Sequence, residues 1–368
     1  MRVALVHDYL NQRGGAERVF AHIARAYPDA PVFTALHDPR ATSDIVDPGR
    51  VRASYLNAIP GANRYFRYLA PLYPRAFESF DFSGFDTIVS STTAWTKGIR
   101  VPAGAVHVCY VNTVSRFTFA PDEYVGSLTS FDRLRMTQLI TRPVIRRLVA
   151  WDKRASQMPT RLIANSRNVA DRIARYYGRE SSVLHCPVDL ARFSAGAGDG
   201  NYFITASRLL PYKRIDLAIR AAEIANVALV IAGTGPDERR LRALAADSPW
   251  VQMTGYVDDA ELNRLLGNAR AAIVPGEEDF GLVPLEAAAA GRPAIAFRGG
   301  GALETIVEGE TGEFFDEPSA QALAAAMRSF EPGRYDPHVL RTHAEKFSPE
   351  RFVEQLRAIV DETRRSAS

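Results

Sequence analysis

The chain has 368 residues, 46% of them hydrophobic and 24% charged, with a formal net charge of +3. That length suits two domains of ordinary size, each able to bury its own core. The near balance of interspersed basic and acidic residues argues against nucleic acid as the main partner, and no apolar stretch reaches the length that crosses a bilayer.

Taken in chain order, Val3 to Val6 reads as a buried strand that ends at His7-Asp8. Gly14-Gly15 then opens a helix from about Ala16 to Ala26. Strands are predicted at Pro31–Ala35, Thr87–Ser91, Val106–Val111 and Arg161–Asn165. Ser166 is placed to cap a helix over Val169–Tyr177. Ser182 to Cys186 stops at Pro187, and Ser194-Ala-Gly-Ala-Gly-Asp-Gly200 is a break without periodicity, the expected linker. The alternation then restarts, with strands at Tyr202 onward, Val227–Ala232, Val251–Val257 and Ala271–Pro275, and runs to about Tyr335. A last helix, about Pro349 to Arg365, carries Phe352, Leu356, Ile359 and Val360 on one face. Strand and helix alternating in both halves predicts two parallel α/β sheets with helices on both faces. Cys109 and Cys186 sit among apolar residues and predict buried free thiols rather than a disulfide or metal site. The first apolar run, broken by His7-Asp8, is too short for a signal sequence, so a cytoplasmic location is expected.

The most informative stretch is Glu278-Asp-Phe280-Gly281-Leu282-Val-Pro-Leu-Glu286, followed by Ala287-Ala-Ala-Ala-Gly291. Glu278 falls in a loop after a strand, and Glu286 within the following helix. Gly281 lets backbone N–H groups approach an anion at that helix N-terminus. A loop carboxylate can accept from sugar hydroxyls and a helical one from a ribose diol; a solvated acidic turn is the alternative. Upstream, Arg208 and Lys213 follow the strand at Tyr202, offering a planar fork and a point charge for phosphate. Between these segments lie Ala232-Gly233-Thr-Gly235-Pro and Gly255-Tyr256-Val257, each at a strand end. Ligands in open α/β sheets bind at that edge. Gly14-Gly15 sits at the matching place in the first half, either as a tight turn or as backbone that reaches a diphosphate from the opposite domain. His7 and Asp8 either face a cleft or close a turn.

These segments together resemble the retaining glycosyltransferases of family 4, over nearly the whole chain. More narrowly, Val6-His-Asp-Tyr with Gly14-Gly-Ala-Glu-Arg18, Glu277-Glu-Asp-Phe-Gly281 and Gly299-Gly-Gly-Ala-Leu-Glu-Thr305 resemble bacterial mannosyltransferases of O-antigen and exopolysaccharide assembly. The resemblance implies the GT-B fold: two Rossmann-like domains with parallel sheets facing a deep interdomain cleft, and a C-terminal helix returning to the N-terminal domain. It divides the chain into an acceptor-binding domain, 1–193 with 347–368, a linker, 194–200, and a donor-binding domain, 201–346. It implies transfer of a hexose, here mannose from GDP-mannose, onto a saccharide acceptor carried on a polyprenyl diphosphate.

Arg208, Lys213 and Glu278 become the expected catalytic residues. Gly14, Gly15, Gly233, Gly255, Tyr256, Val257, Phe280, Gly281, Leu282 and Glu286 become the expected donor-binding residues. His7, Asp8, Asn112, Thr113 and Arg116 are acceptor-side candidates. Many relatives have Cys-His-Thr-Pro-x-Arg where this chain has Asn112-Thr113-Val114-Ser115-Arg116, so the family's sugar-contacting histidine position holds asparagine. His107 reads as a core residue and His185 as structural. No Asp-x-Asp and no metal-ligand spacing occurs, so no metal and no cofactor beyond the nucleotide-sugar co-substrate is expected. Arginines mixed with aromatics in Asn63–Phe77, and the basic stretch Arg133–Arg154 with Arg135, Arg142, Arg146, Arg147, Lys153 and Arg154, predict either peripheral contact with an anionic membrane or a solvated helix face.

The alternatives are a UDP-sugar donor, a sugar-phosphate phosphorylase or epimerase on the same fold, and a degenerate nucleotide-sugar-binding subunit. A dinucleotide dehydrogenase is weaker, because the Gly14-Gly15 turn is not G-x-G-x-x-G.

Overall fold

The computed structural model describes residues 1–120, 135–196 and 200–367, and for 135–141 the backbone only. Arg133, the side chain of Arg135 and linker positions 197–199 lie outside the described residues. Two compact units emerge: Met1–His185 with Phe352–Ser368, and Cys186–Arg351.

The first unit holds seven parallel strands: β1 (Val3–His7), β2 (Val32–Thr34), β3 (Val51–Ala53), β4 (Thr87–Thr92), β5 (Val106–Val111), β6 (Arg161–Ala164) and β7 (Ser182–Val183). Their order across the sheet is β3-β2-β1-β4-β5-β6-β7. β1, β4 and β5 are buried at every residue, as strands covered by helices on both faces must be. Helices Gly15–Ala26, Arg135–Ala155 and Arg167–Tyr177 supply that cover. Ser166 accepts from Val169 N at 3.0 Å, as its position predicts for a cap. An aromatic core built from Tyr73, Phe77, Phe82, Trp95, Phe117 and Trp151 fills the space beside the sheet. The final helix, Pro349–Ala367, closes this unit: Phe352 meets the Tyr110 ring, Arg357 donates to the Ala26 carbonyl, and Arg161 pairs with Glu362.

The second unit has six parallel strands: β8 (Tyr202–Ala206), β9 (Ala228–Ala232), β10 (Val251–Gly255), β11 (Ala272–Val274), β12 (Ala294–Phe297) and β13 (Gly312–Phe315). The order is β10-β9-β8-β11-β12-β13. The helix Leu282–Ala289 follows β11, and its residues Leu285 to Ala289 are buried. Alanine there lets the helix axis approach the sheet closely. Residues at the expected linker also pack in this unit: Ser194 N donates to Asn263 Oδ1 at 3.0 Å, and Arg292 donates to the Gly196 carbonyl.

In both sheets the strand order reverses once, between β1 and β4 and between β8 and β11. The loops leaving two such adjacent strands diverge to opposite faces and open a crevice at the carboxyl edge. Both cysteines are buried and free, as their apolar neighbours predict. Among the described residues no helix is long and apolar enough to cross a membrane.

Candidate active site

The crevice of the second unit is built from loops after β8, β9, β10 and β11. After β8 the chain passes through Ser207 and Arg208 into a short 3-10 turn, Pro211–Lys213. Arg214 then takes the left-handed conformation, φ 53°, and starts the helix Ile215–Ala225. The loop after β9 lies against this one. Leu209 N donates to Thr234 O at 2.9 Å and Asp237 N to Leu209 O at 3.0 Å. A Cβ on Gly233 would overlap the Ser207 carbonyl, so only glycine allows the contact. Gly233 N in turn donates to Gly255 O at 2.7 Å, bringing in the end of β10. Tyr256, 70% exposed, and Val257 follow it.

The loop after β11 brings Glu278 across the reversal point. The Lys213 ammonium donates to both carboxylate oxygens of Glu278, and each side chain is only 15% exposed. Burial, the largest single influence, pulls the lysine pKa down, but the charge and hydrogen bonds of Glu278 together with Tyr212 and Asp279 outweigh it, and the net shift is upward. The Glu278 backbone is itself held, its carbonyl accepting from Gly301 N at 2.9 Å. Arg208, in the same loop as Lys213, is half-buried and has no acidic partner among the described residues. Gly281, at φ 85°, is the N-cap that turns the chain into the helix Leu282–Ala289, whose first N–H groups are those of Leu282 and Val283. A helix start of this kind favours an anion.

Glu286 lies in the second turn of that helix, 12% exposed at its side chain, and Arg192 Nη1 stands 3.5 Å from its Oε1. Arg192 also grips Asp259 with two hydrogen bonds, Nη2 at 2.7 Å and Nε at 3.0 Å. Sequence reasoning missed Arg192; its place as the last residue of the Asp189-capped turn Leu190–Arg192 carries no motif that would single it out.

In the first unit the predicted residues have different fates. Asp8, at the end of β1, is buried and saturated. Its carboxylate accepts from the backbone N–H groups of Thr93 at 2.6 Å, Ala94 at 2.9 Å, Trp95 at 3.0 Å and Thr96 at 3.0 Å, and from the Thr93 hydroxyl at 2.7 Å. It is an anchor for the loop after β4, the turn-closing alternative. His7 stacks on Phe20 at 4.5 Å, and burial lowers its pKa against the charges of Glu17 and Asp8. Gly14 caps the helix Gly15–Ala26 in extended conformation, and the buried Glu17 carboxylate folds back so that a Cβ on Gly14 would lie 2.6 Å from its Oε2. An acid therefore lines this helix start beside Gly15.

Asn112 donates to Ser91 Oγ at 2.9 Å and to the Thr92 carbonyl at 3.2 Å, which ties it to the end of β4. Thr113 donates to the Val114 carbonyl at 3.1 Å, and the Arg116 guanidinium lies over the Phe119 ring at 5.6 Å. His107 is a core residue, with its Nε2 2.7 Å from Ser90 Oγ, and burial pushes its pKa down to about 3. Behind the loop 112–116 lies a network absent from the sequence reading. Lys97 and Asp152 pair at 2.7 Å with side chains 1% and 0% exposed, and Asp152 also accepts from Ser115, Thr118 and Tyr177. Its one sequence signal is a lysine set among buried apolar residues, Ala94-Trp-Thr-Lys97-Gly-Ile99.

Family comparisons match this arrangement in tandem. The family described as Glycosyltransferase Family 4 matches residues 13–192, and Glycosyl transferases group 1 matches residues 189–347. The chain belongs to the family 4 glycosyltransferases. Among curated relatives, a GDP-mannose-dependent alpha-(1-6)-phosphatidylinositol monomannoside mannosyltransferase of Mycolicibacterium smegmatis is 31% identical over 192 residues, 44% of this chain and 50% of that protein. A D-inositol 3-phosphate glycosyltransferase of Acidothermus cellulolyticus is 33% identical over 207 residues, 47% of this chain and 46% of that protein. The chain thus spans about half the length of these relatives. Among solved structures, Anabaena HepE in complex with UDP and glucose is 18% identical at a TM-score of 0.71, covering 98% of this chain and 99% of that one. Sucrose-phosphate synthase of Thermosynechococcus elongatus is 18% identical at a TM-score of 0.74, covering 100% and 99%. These likenesses, with two parallel-sheet units, give the GT-B fold.

Proposed function

We propose that this chain transfers a hexose from a nucleoside-diphosphate sugar to a saccharide acceptor with retention of anomeric configuration. The observation that carries the reading is the meeting of Lys213 and Glu278 at the strand-order reversal, beside an Arg208 that no described acid neutralises. A cation pair at that edge suits a diphosphate leaving group, and a carboxylate beside it suits sugar hydroxyls. The bond from the anomeric carbon to the β-phosphate oxygen breaks, and its electron pair stays on the phosphate. Arg208, Lys213 and the N–H groups near Gly281 and Leu282 stabilise that charge as it develops. The acceptor oxygen bonds the same face of the carbon, and its proton passes to the β-phosphate oxygen.

Mannose from GDP-mannose is the donor we favour, because two curated relatives carry GDP-mannose dependence in their names. HepE, whose structures hold UDP and glucose or UDP-glucose, supports the UDP-sugar alternative. The acceptor we favour is a lipid-linked saccharide, because the acceptors named for those two GDP-mannose-dependent relatives are phosphatidylinositol mannosides. A surface feature of the first unit agrees. Residues 48–77 contain Arg50, Arg52, Arg64, Arg67 and Arg75 but no acid. Tyr55, Ile59, Tyr65, Tyr68 and Leu72 are exposed along the same stretch. Aromatic tips mixed with arginine suit the headgroup zone of an anionic membrane.

The deciding experiment is a thermal-shift panel of GDP, UDP, ADP and their sugars, followed by nucleotide release with the best donor, with and without EDTA. A midpoint raised by GDP and GDP-mannose, with release that EDTA leaves intact, is the expected result. A response to UDP-sugars alone replaces the donor. Binding without release replaces the enzyme with a binding subunit, and loss of release restored by magnesium or manganese ends the metal-free reading.

A further inference from the structure

Arg192 touches two acids on two different helices, and its two contacts differ in kind. Toward Asp259, in the first turn of the helix Asp259–Asn268, it makes a bidentate pair at 2.7 and 3.0 Å. Such a fork fixes the plane of the guanidinium. Toward Glu286 it presents Nη1 at 3.5 Å, beyond ordinary hydrogen-bond length. The Arg192 side chain is 17% exposed and the Glu286 side chain 12%, so the attraction is only partly screened. The attraction therefore pulls on the Glu286 carboxylate without closing a short hydrogen bond on Oε1.

We propose that Arg192 is a positioning residue for the donor site. Anchored by Asp259, it holds the Glu286 carboxylate in the direction that accepts from the two neighbouring hydroxyls of the nucleotide ribose. The inference rests on the reading of Glu286 as the ribose-binding residue and adds what aims it. Arg192 itself touches no substrate, and its removal acts only through the diol.

Calorimetry with GDP and UDP, each beside its 2′,3′-dideoxy form, separates the possibilities. The proteins are wild type, Arg192→Ala, Arg192→Lys and Glu286→Ala. Expected for Arg192→Ala is roughly a tenfold loss of affinity for the nucleotide, the size of one charge-assisted contact, with the dideoxy form bound as in wild type. KM for the sugar nucleotide rises by the same factor while kcat holds. Arg192→Lys restores part of the affinity, because it keeps the charge but loses the fork on Asp259. Equal losses for nucleotide and dideoxy nucleotide mean a structural role and overturn the proposal, as does no loss at all. If Glu286→Ala costs the nucleotide and its dideoxy form equal affinity, the ribose reading falls and the proposal with it. If the loss in Glu286→Ala falls on the nucleotide alone while Arg192→Ala costs neither ligand or both equally, only the positioning role falls.

Discussion

The Lys213 ammonium closes on both carboxylate oxygens of Glu278, 65 residues further along the chain. Each is the other's buried counter-ion, so the two are expected to fail together. Lys213→Ala and Glu278→Ala should each lower kcat/KM by roughly 10²-fold, with the double variant no worse than about the poorer single one. Arg208→Ala, lacking that coupling, should cost a similar factor that multiplies with either. Steady-state kinetics on the set checks this; near-normal turnover in Lys213→Ala and Arg208→Ala removes the phosphate assignment.

Glu278 and Glu286 should also separate from one another. Glu286→Ala is expected to weaken free nucleotide and sugar nucleotide alike and to raise KM, because a ribose contact is the same in ground and transition states. Glu278→Ala is expected to leave nucleotide affinity nearly intact and to lower kcat, because its contacts orient the reacting carbon. Calorimetry beside kinetics reads the split, and the opposite pattern reverses the two roles.

Asp8 is expected to behave as a structural anchor. Asn at this position keeps one accepting oxygen and places an N–H2 against backbone donors, so Asp8→Asn should cost about 2–4 kcal/mol of stability. Urea unfolding measures the loss. Nucleotide affinity of the folded variant should stay as in wild type, and a fully stable variant that has lost acceptor turnover would make Asp8 a substrate contact instead.

Acid should destabilise the chain through its buried histidines. Burial holds His7, His37, His107 and His343 below the ordinary value of 6.5. Below that pH the unfolded chain takes up protons that the folded chain refuses, so stability falls as pH drops through it. The urea midpoint should decrease between about pH 7.5 and 5.5, and by less in His107→Asn, which has one fewer site to protonate on unfolding. A midpoint unchanged or rising over that interval contradicts the burial of these rings.

Vesicle binding tests the arginine and tyrosine surface at 48–77. Co-sedimentation with anionic vesicles should exceed that with neutral ones and fall as salt rises. Arg64→Ala with Arg67→Ala should reduce it, and Tyr65→Ser with Tyr68→Ser should reduce it at any salt. Equal partition to both vesicle types, or none, removes the membrane from the reading.

Much of this protein was decided by local sequence. Strand and helix alternation, the Ser166 cap and the Phe352, Leu356 and Val360 face are written in residues a few positions apart, where periodicity and turn chemistry act. So are the glycine-bearing loops of the candidate site, because a strand, a glycine turn and a helix start form one contiguous piece of chain. The short strands Val51–Ala53, Ala294–Phe297 and Gly312–Phe315 escaped notice, having three or four residues each and little pattern. Tertiary structure alone decided the pairings. Lys213 meets Glu278 because β8 and β11 are neighbours at the reversal of strand order, and Asp8 meets the loop at Trp95 because β1 and β4 are. The same edge position therefore carries a charged pair in one unit and a saturated anchor in the other. Strand order is set by how helices pack over the sheet, an energy summed across the whole unit, and no local window of sequence contains it. That is also why Arg192 and the Lys97–Asp152 network came to light only once the chain was folded.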